Sequence, residues 1–180
     1  MSYTCFPPTL PVGIGPTISG FQEFVTNIMQ PPSYFDPSTS VYVTYSYNFA
    51  VQWVNPDMVN TAGLPTAWSL YTLAVYNLAA DTLINITQDQ PGDPIYTPPF
   101  GIENPSGMQY WAWLRKQFNV LEFIPGIVST TSDEGTSVGY IVPESFSQFT
   151  ISNLQNLKTN FGRTYLGIVQ SWGKSAWGIS

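Results

Sequence analysis

The sequence predicts a mainly α fold, a helical bundle with one inserted β-hairpin, an extended N-terminal arm and a C-terminal tail. Three features predict it. Between the Pro/Gly breaks, most segments repeat apolar residues at three- and four-residue spacing. The run 67–86 is rich in Leu and Ala, lacks Gly and Pro, and is apolar nearly all round, the pattern of a helix covered on most sides. Residues 126–142 instead place two β-prone arms around a polar tip. A chain of 180 residues that is 43% hydrophobic and 16% aromatic can build one domain with its own core.

Taken in order, residues 1–16 form the arm: Pro7, Pro8, Pro11 and Pro16 alternate with Gly13 and Gly15, which suits neither helix nor central strand. Thr17 can cap a short helix through Met29, with Ile18, Phe21, Val25 and Ile28 at helical spacing, and Pro31-Pro32 ends it. Ser38 or Thr39 opens the next segment, 41–54. Its Val, Tyr and Thr content favours a strand. The stripe Val41, Tyr45, Asn48/Phe49, Gln52/Trp53 favours a helix, and the regular period outweighs propensity. In the central helix 67–86, a thin line of Asn77, Asp81 and Asn85 is expected to face solvent or a neighbouring subunit rather than to form a polar site in the core.

Residues 88–107 form a long Pro/Gly-rich loop, of the kind that contacts partners. A helix over 108–121 carries Tyr110, Trp111, Trp113, Leu114 and Phe118. The hairpin 126–142 turns at Ser132, Asp133, Glu134 and Gly135. A short helix over 150–157, a turn at 160–162 and a last helix over 163–172 complete the domain 17–172, leaving 173–180 as the tail.

Charge is scarce. Only 9% of residues are Asp, Glu, Lys or Arg, where about 25% is usual for soluble domains. Neutral polar and aromatic side chains tolerate burial between subunits, and interfaces are depleted in charge, so much of this surface is expected to be covered in the working state. The net charge of −6 argues against tight binding to phosphate backbones. Cys5 is the single cysteine, so an intramolecular disulfide is excluded, and assembly in a reducing cytoplasm is expected. No secretory leader or membrane span is expected. The sequon Asn85-Ile86-Thr87 falls inside a predicted helix and is discounted.

No enzyme and no cofactor are expected. The chain has no His, which removes the common general base and most zinc sites. Cys5 lies in the arm without an activating base. Asp133 and Glu134 belong to a Ser/Gly-rich turn, while Asp89 and Asp93 flank Pro91-Gly92 without calcium-loop spacing. A carbohydrate- or ligand-binding module using the Tyr/Trp surface is the reading of a different class, but these aromatics fall mostly at helical core positions.

Three pieces carry a resemblance: Trp68 to Thr87, "WSLYTLAVYNLAADTLINIT"; Gly126 to Tyr140, "GIVSTTSDEGTSVGY"; and Thr159 to Leu166, "TNFGRTYL". Their order resembles the head–tail connector (adaptor, or head-completion) proteins of tailed bacteriophages, which have an apolar central helix, a Gly/Val/Ser hairpin and a Thr-x-Tyr-Gly-x-x-Tyr-Leu segment. Two features depart from that pattern: the 88–107 loop is longer, and Asn77 or Asp81 stands near a position where His is frequent.

The resemblance implies a non-enzymatic subunit of a homo-oligomeric ring in the virion neck, assembled in the host cytoplasm, of about twelve copies to match the portal. DNA would pass through without specific binding. The tail residues Trp172, Lys174, Trp177 and Ile179 would dock into the portal protein, and the hairpin tip would meet a neighbour or a tail-side neck or tail-completion protein. A tail terminator or minor capsid component is the nearest alternative, and these are mainly β.

Overall fold

The computed structural model describes residues 15–56, 70–98, 104, 106–118, 120, 127–131, 138–141 and 156–176, with the backbone alone for both strands and for 172–176. The fold is mainly helical. Helix α1 (Ile18–Phe24) continues without a break into a π-helical turn, Val25–Met29. It is followed by α2 (Val41–Trp53), α3 (Leu70–Ile86), α4 (Tyr110–Gln117) and α5 (Asn160–Ala176). Strands β1 (Ile127–Thr131) and β2 (Val138–Ile141) pair antiparallel, with a register irregularity between Val128 and Thr130.

The helix starts follow capping chemistry. Thr17 accepts a 3.1 Å bond from the Gly20 N–H and opens α1. Before α2, Asp36 accepts bonds from the Ser38 N–H and hydroxyl and closes a turn, and the cap itself is Ser40, one residue past the expected position. The Ser38 hydroxyl and N–H hold the Asp36 carboxyl below its usual range. Gln30, in the left-handed region at φ 50°, ends the π turn ahead of Pro31.

Helix α3 is the centre of the bundle, as its all-round apolar character predicts. It packs against α2, α5 and α4, and buries Ala74, Val75, Tyr76, Leu78, Ala79, Ala80, Leu83 and Ile84. Helix α2 is a helix, as its period predicts, but its faces are set by packing. Val43, Ser46, Ala50 and Val54 are buried, while Val41, Tyr45 and Trp53 face outward. Small side chains at Ser46 and Ala50 on the buried face of α2 suit a close approach to α3.

Two tyrosines tie the chain ahead of α1 to this core. The Tyr47 hydroxyl donates to the Pro16 carbonyl at 2.7 Å, and the Tyr76 hydroxyl donates to the Thr17 carbonyl at 3.1 Å. Gly20 is required for the second contact, because a Cβ there would lie 2.3 Å from the Tyr76 oxygen.

The described part of the 88–107 loop folds back onto α4. The Tyr96 ring packs on Tyr110 and Trp113, each at 4.9 Å between centroids. Asn104 bridges the strand-like pairing of Tyr96 and Met108 through bonds to both carbonyls. Helix α4 is shorter than its predicted span 108–121, and α5 is longer than 163–172 at both ends, so Gly173 and Lys174 lie within the helix. The predicted helix 150–157 falls mostly on residues outside those described.

Candidate functional site

The polar line on α3 runs differently from its sequence expectation. Asn77 and Asp81 are buried and Asn85 is exposed. Asn77 satisfies itself by donating to the Leu73 carbonyl one turn back, at 2.8 Å. Asp81, 3% exposed, has a partner 78 positions away: the Thr159 hydroxyl donates to Asp81 Oδ1 at 2.5 Å.

The same hydroxyl oxygen accepts the Gly162 N–H at 2.9 Å, so Thr159 caps α5 and anchors it to α3 in one arrangement. Gly162 completes the seat. A Cβ at this position would lie 2.0 Å from the Asn156 carbonyl oxygen and 2.8 Å from Asp81 Oδ1, so only glycine lets α5 begin here. Beyond the seat, Phe161, Tyr165, Ile168 and Val169 pack against the core. Burial pushes the Asp81 carboxyl up to about 6, against the opposing effects of the Thr159 hydroxyl and the Lys158 charge.

A second polar arrangement closes the corner between α3 and α4. Both Asp89 carboxylate oxygens accept N–H groups of the first turn of α4, from Trp111 and Ala112, each at 2.8 Å. Gln109, the residue before α4, is engaged elsewhere, with its amide donating to the Gln90 and Asp93 carbonyls. Arg115 in turn donates to the Ile84 carbonyl at 3.1 Å and to the Thr87 carbonyl at 2.5 Å at the end of α3, and lies 3.9 Å from Asp89. A carboxylate at a helix N-terminus and a guanidinium at a C-terminus both complement the helix dipoles. Asp93 accepts the Gln90 N–H at 2.7 Å. The two carboxylates considered for a cation therefore serve as a helix cap and a turn brace.

These arrangements hold helices together rather than present reactive groups. Helix α5 covers the Asp81 carboxyl, and each Asp89 oxygen accepts an N–H of the first turn of α4. Among the described residues, no cluster of three His, Cys, Asp or Glu side chains is placed to hold a metal ion, and no helix is long and apolar enough to cross a membrane.

The sequence-predicted contact residues are distributed as follows. Trp172 and Lys174 lie in the last turns of α5, where the backbone alone is described. Trp177, Ile179, Ser132, Asp133, Glu134 and Gly135 lie outside the described residues. Sequence reading missed the pairing of Asp81 with Thr159. The available signal was a lone acid in an apolar helix together with a Thr-x-x-Gly helix start that demands a close neighbour. No protein-family model, curated protein or solved structure matches this chain.

Proposed function

We propose that the chain is a non-enzymatic structural subunit of a phage neck ring, joining the portal to the tail and surrounding the DNA passage. One observation carries the reading. Two of the three segments that resemble head–tail connectors, 68–87 and 159–166, pack on each other through Asp81, Thr159 and Gly162. Their contact joins two of the resembling pieces in one packing unit, which is what supports the reading. The mainly helical fold also counts against the mainly β tail terminators.

Within this reading the paired strands 127–131 and 138–141 form the hairpin that reaches a neighbour or the tail-side ring, and the end of α5 leads the tail toward the portal. A low content of charge suits a subunit whose flanks are covered, and an acidic chain suits a bore through which DNA moves without sticking.

The test is the copy number of this chain in purified particles, measured by quantitative mass spectrometry against the portal protein. A ratio near one is expected. A ratio of many to one would move the chain to the capsid or tail tube, and its absence from particles would refute the reading. Removal of Trp177 to Ser180, beyond the described end of α5, is expected to leave the helical spectrum intact and to abolish capture by the portal. Normal capture would refute the docking role of that segment.

A further inference from the structure

Helix α5 is attached to the bundle differently from the other four helices. Those four are cross-tied. Tyr47 of α2 and Tyr76 of α3 both donate to carbonyls at the entry to α1. Tyr110 of α4 donates to the Met29 carbonyl at the end of the π turn, at 3.0 Å, and Asp89 and Arg115 lock the α3–α4 corner. Helix α5 instead lies along α3. It meets α1 at one edge, where the Phe161 and Phe24 rings are 6.0 Å apart, and its polar tie is the Thr159 hydroxyl on Asp81. Its other side, with Asn160, Arg163, Thr164, Gly167 and Gln170, is exposed.

The tie sits at the margin of the covered face. Asp81 is buried, while Asn85, one turn along the same line, is exposed and reaches back to Asp81 Oδ2 at 3.4 Å. On the α5 side the seat is closed. A Cβ at Gly162 would already collide with the Asn156 carbonyl and crowd Asp81 Oδ1, so no water fits at that point. Lifting the first turn of α5 therefore brings solvent to the carboxylate and leaves the ties among α1 to α4 unbroken. A buried carboxylate favours any opening that hydrates it, and the least costly opening here is local.

We propose that α5 is a releasable helix: ionisation of Asp81 lifts it off α3 while α1 to α4 stay packed. Lys158, on the approach to α5, opposes release because its charge favours the seated carboxylate. Arg163 is turned to the Leu157 carbonyl and the Asn160 side chain, and Arg115 to the carbonyls at the end of α3. Glu23 of α1 is exposed, α2 has no Asp, Glu, Lys or Arg, and the tyrosines stay neutral below pH 8. In the neck-ring reading the released helix carries the docking tail, and the device rests on that reading for its purpose alone. Release is a property of the isolated chain, whereas the ring reading is decided by stoichiometry in particles, so either can fail without the other.

The experiment is amide hydrogen exchange of the full chain by mass spectrometry at pH 4.5 and 7.5, each rate divided by the intrinsic rate at that pH. Peptides from Asn160–Ala176 report α5, and peptides from Val41–Trp53 report the rest of the bundle. The folded carboxyl is raised from 3.8 to about 6, so the seat is fully stable at low pH and loses stability as pH rises through about 6. Opening of α5 is expected to grow roughly 30-fold from pH 4.5 to 7.5, with α2 exchanging more slowly at both values and with no such rise in Asp81→Asn. Lys158→Gln should increase opening at pH 7.5 and leave it unchanged at 4.5, a pattern that a purely structural role would not give. Exchange of α5 in step with α2 at both pH values would make the bundle one cooperative unit and overturn the proposal. So would α5 opening that is level with pH in the wild type, or that rises equally in Asp81→Asn. If Asp81→Asn does not fold, the wild-type profile and Lys158→Gln decide the matter, and equal effects of Lys158→Gln at both pH values would overturn it.

Discussion

Replacing Asp81 by Asn tests the α3–α5 seat directly. Asn keeps the shape and an oxygen that accepts the Thr159 hydroxyl, but it cannot ionise. The folded carboxyl titrates at about 6, against an ordinary value of 3.8. A raised carboxyl favours its neutral form in the folded state, so its contribution is fully present below about pH 4 and is lost as pH rises through about 6. The difference is about 2 units, and at roughly 1.4 kcal/mol per unit the wild type gives up about 3 kcal/mol across that window relative to Asp81→Asn. For a domain of this size that corresponds to a melting difference of about 6–12 °C.

The assay is thermal or urea unfolding of both proteins from pH 3.5 to 7.5, read as the difference between them, which cancels the other carboxylates. The gap should be small and constant below pH 4, widen between 4 and 6, and level off in favour of Asp81→Asn above 7. A gap independent of pH would refute the claim that this carboxyl is buried and neutral-favouring in the folded chain.

Three further outcomes follow from the geometry. Gly162→Ala drives a methyl group into the Asn156 carbonyl and is expected to cost about 2–3 kcal/mol; unchanged stability in urea unfolding would show that α5 does not start in this seat. Asp89→Ala leaves the Trp111 and Ala112 N–H groups without their acceptor and should cost about 1–2 kcal/mol by the same measurement, while an unaffected midpoint would remove Asp89 as the cap of α4. Tyr47→Phe frees the Pro16 carbonyl at a cost of about 1 kcal/mol, and amide exchange at the start of α1 should accelerate. Exchange that stays slow there would show that Tyr76 alone holds this end.

The sequence carried the elements better than their faces. The centrality of α3 was legible because its own residues are apolar in every direction. The helical state of α2 was legible because a 3.6-residue period survives a run of β-prone side chains. Which side of α2 turns inward was not, because two stripes compete. Val43, Ser46, Ala50 and Val54 win through small residues suited to a close approach to α3, a property of the pair rather than of either helix.

Ile18, Phe21, Val25 and Ile28 fit one regular helix on paper. Phe21 and Val25 are buried, but Ile18 and Ile28 are exposed, and the π turn from Val25 changes the angular step before Ile28 is reached. The seat itself was hidden for a different reason. Thr159 and Asp81 are 78 positions apart, and a polar residue in a helix does not announce a partner that distant. The cap of α4 was equally opaque, since Gln109 stands at the position where a local cap would be read, while the acceptor comes from the preceding loop.

The long span between α3 and α5 also has a meaning in time. On the ribosome α3 emerges well before the segment that covers it, so during that interval the face around Asp81 meets water and the carboxylate is free to ionise. The α3 face that α5 covers in the finished fold is therefore synthesised long before its cover. Once Thr159 arrives, the same carboxyl becomes an acceptor inside the packed bundle. Closing the bundle therefore waits on the last helix, and a chain truncated before Thr159 leaves Asp81 without the hydroxyl that meets it in the fold.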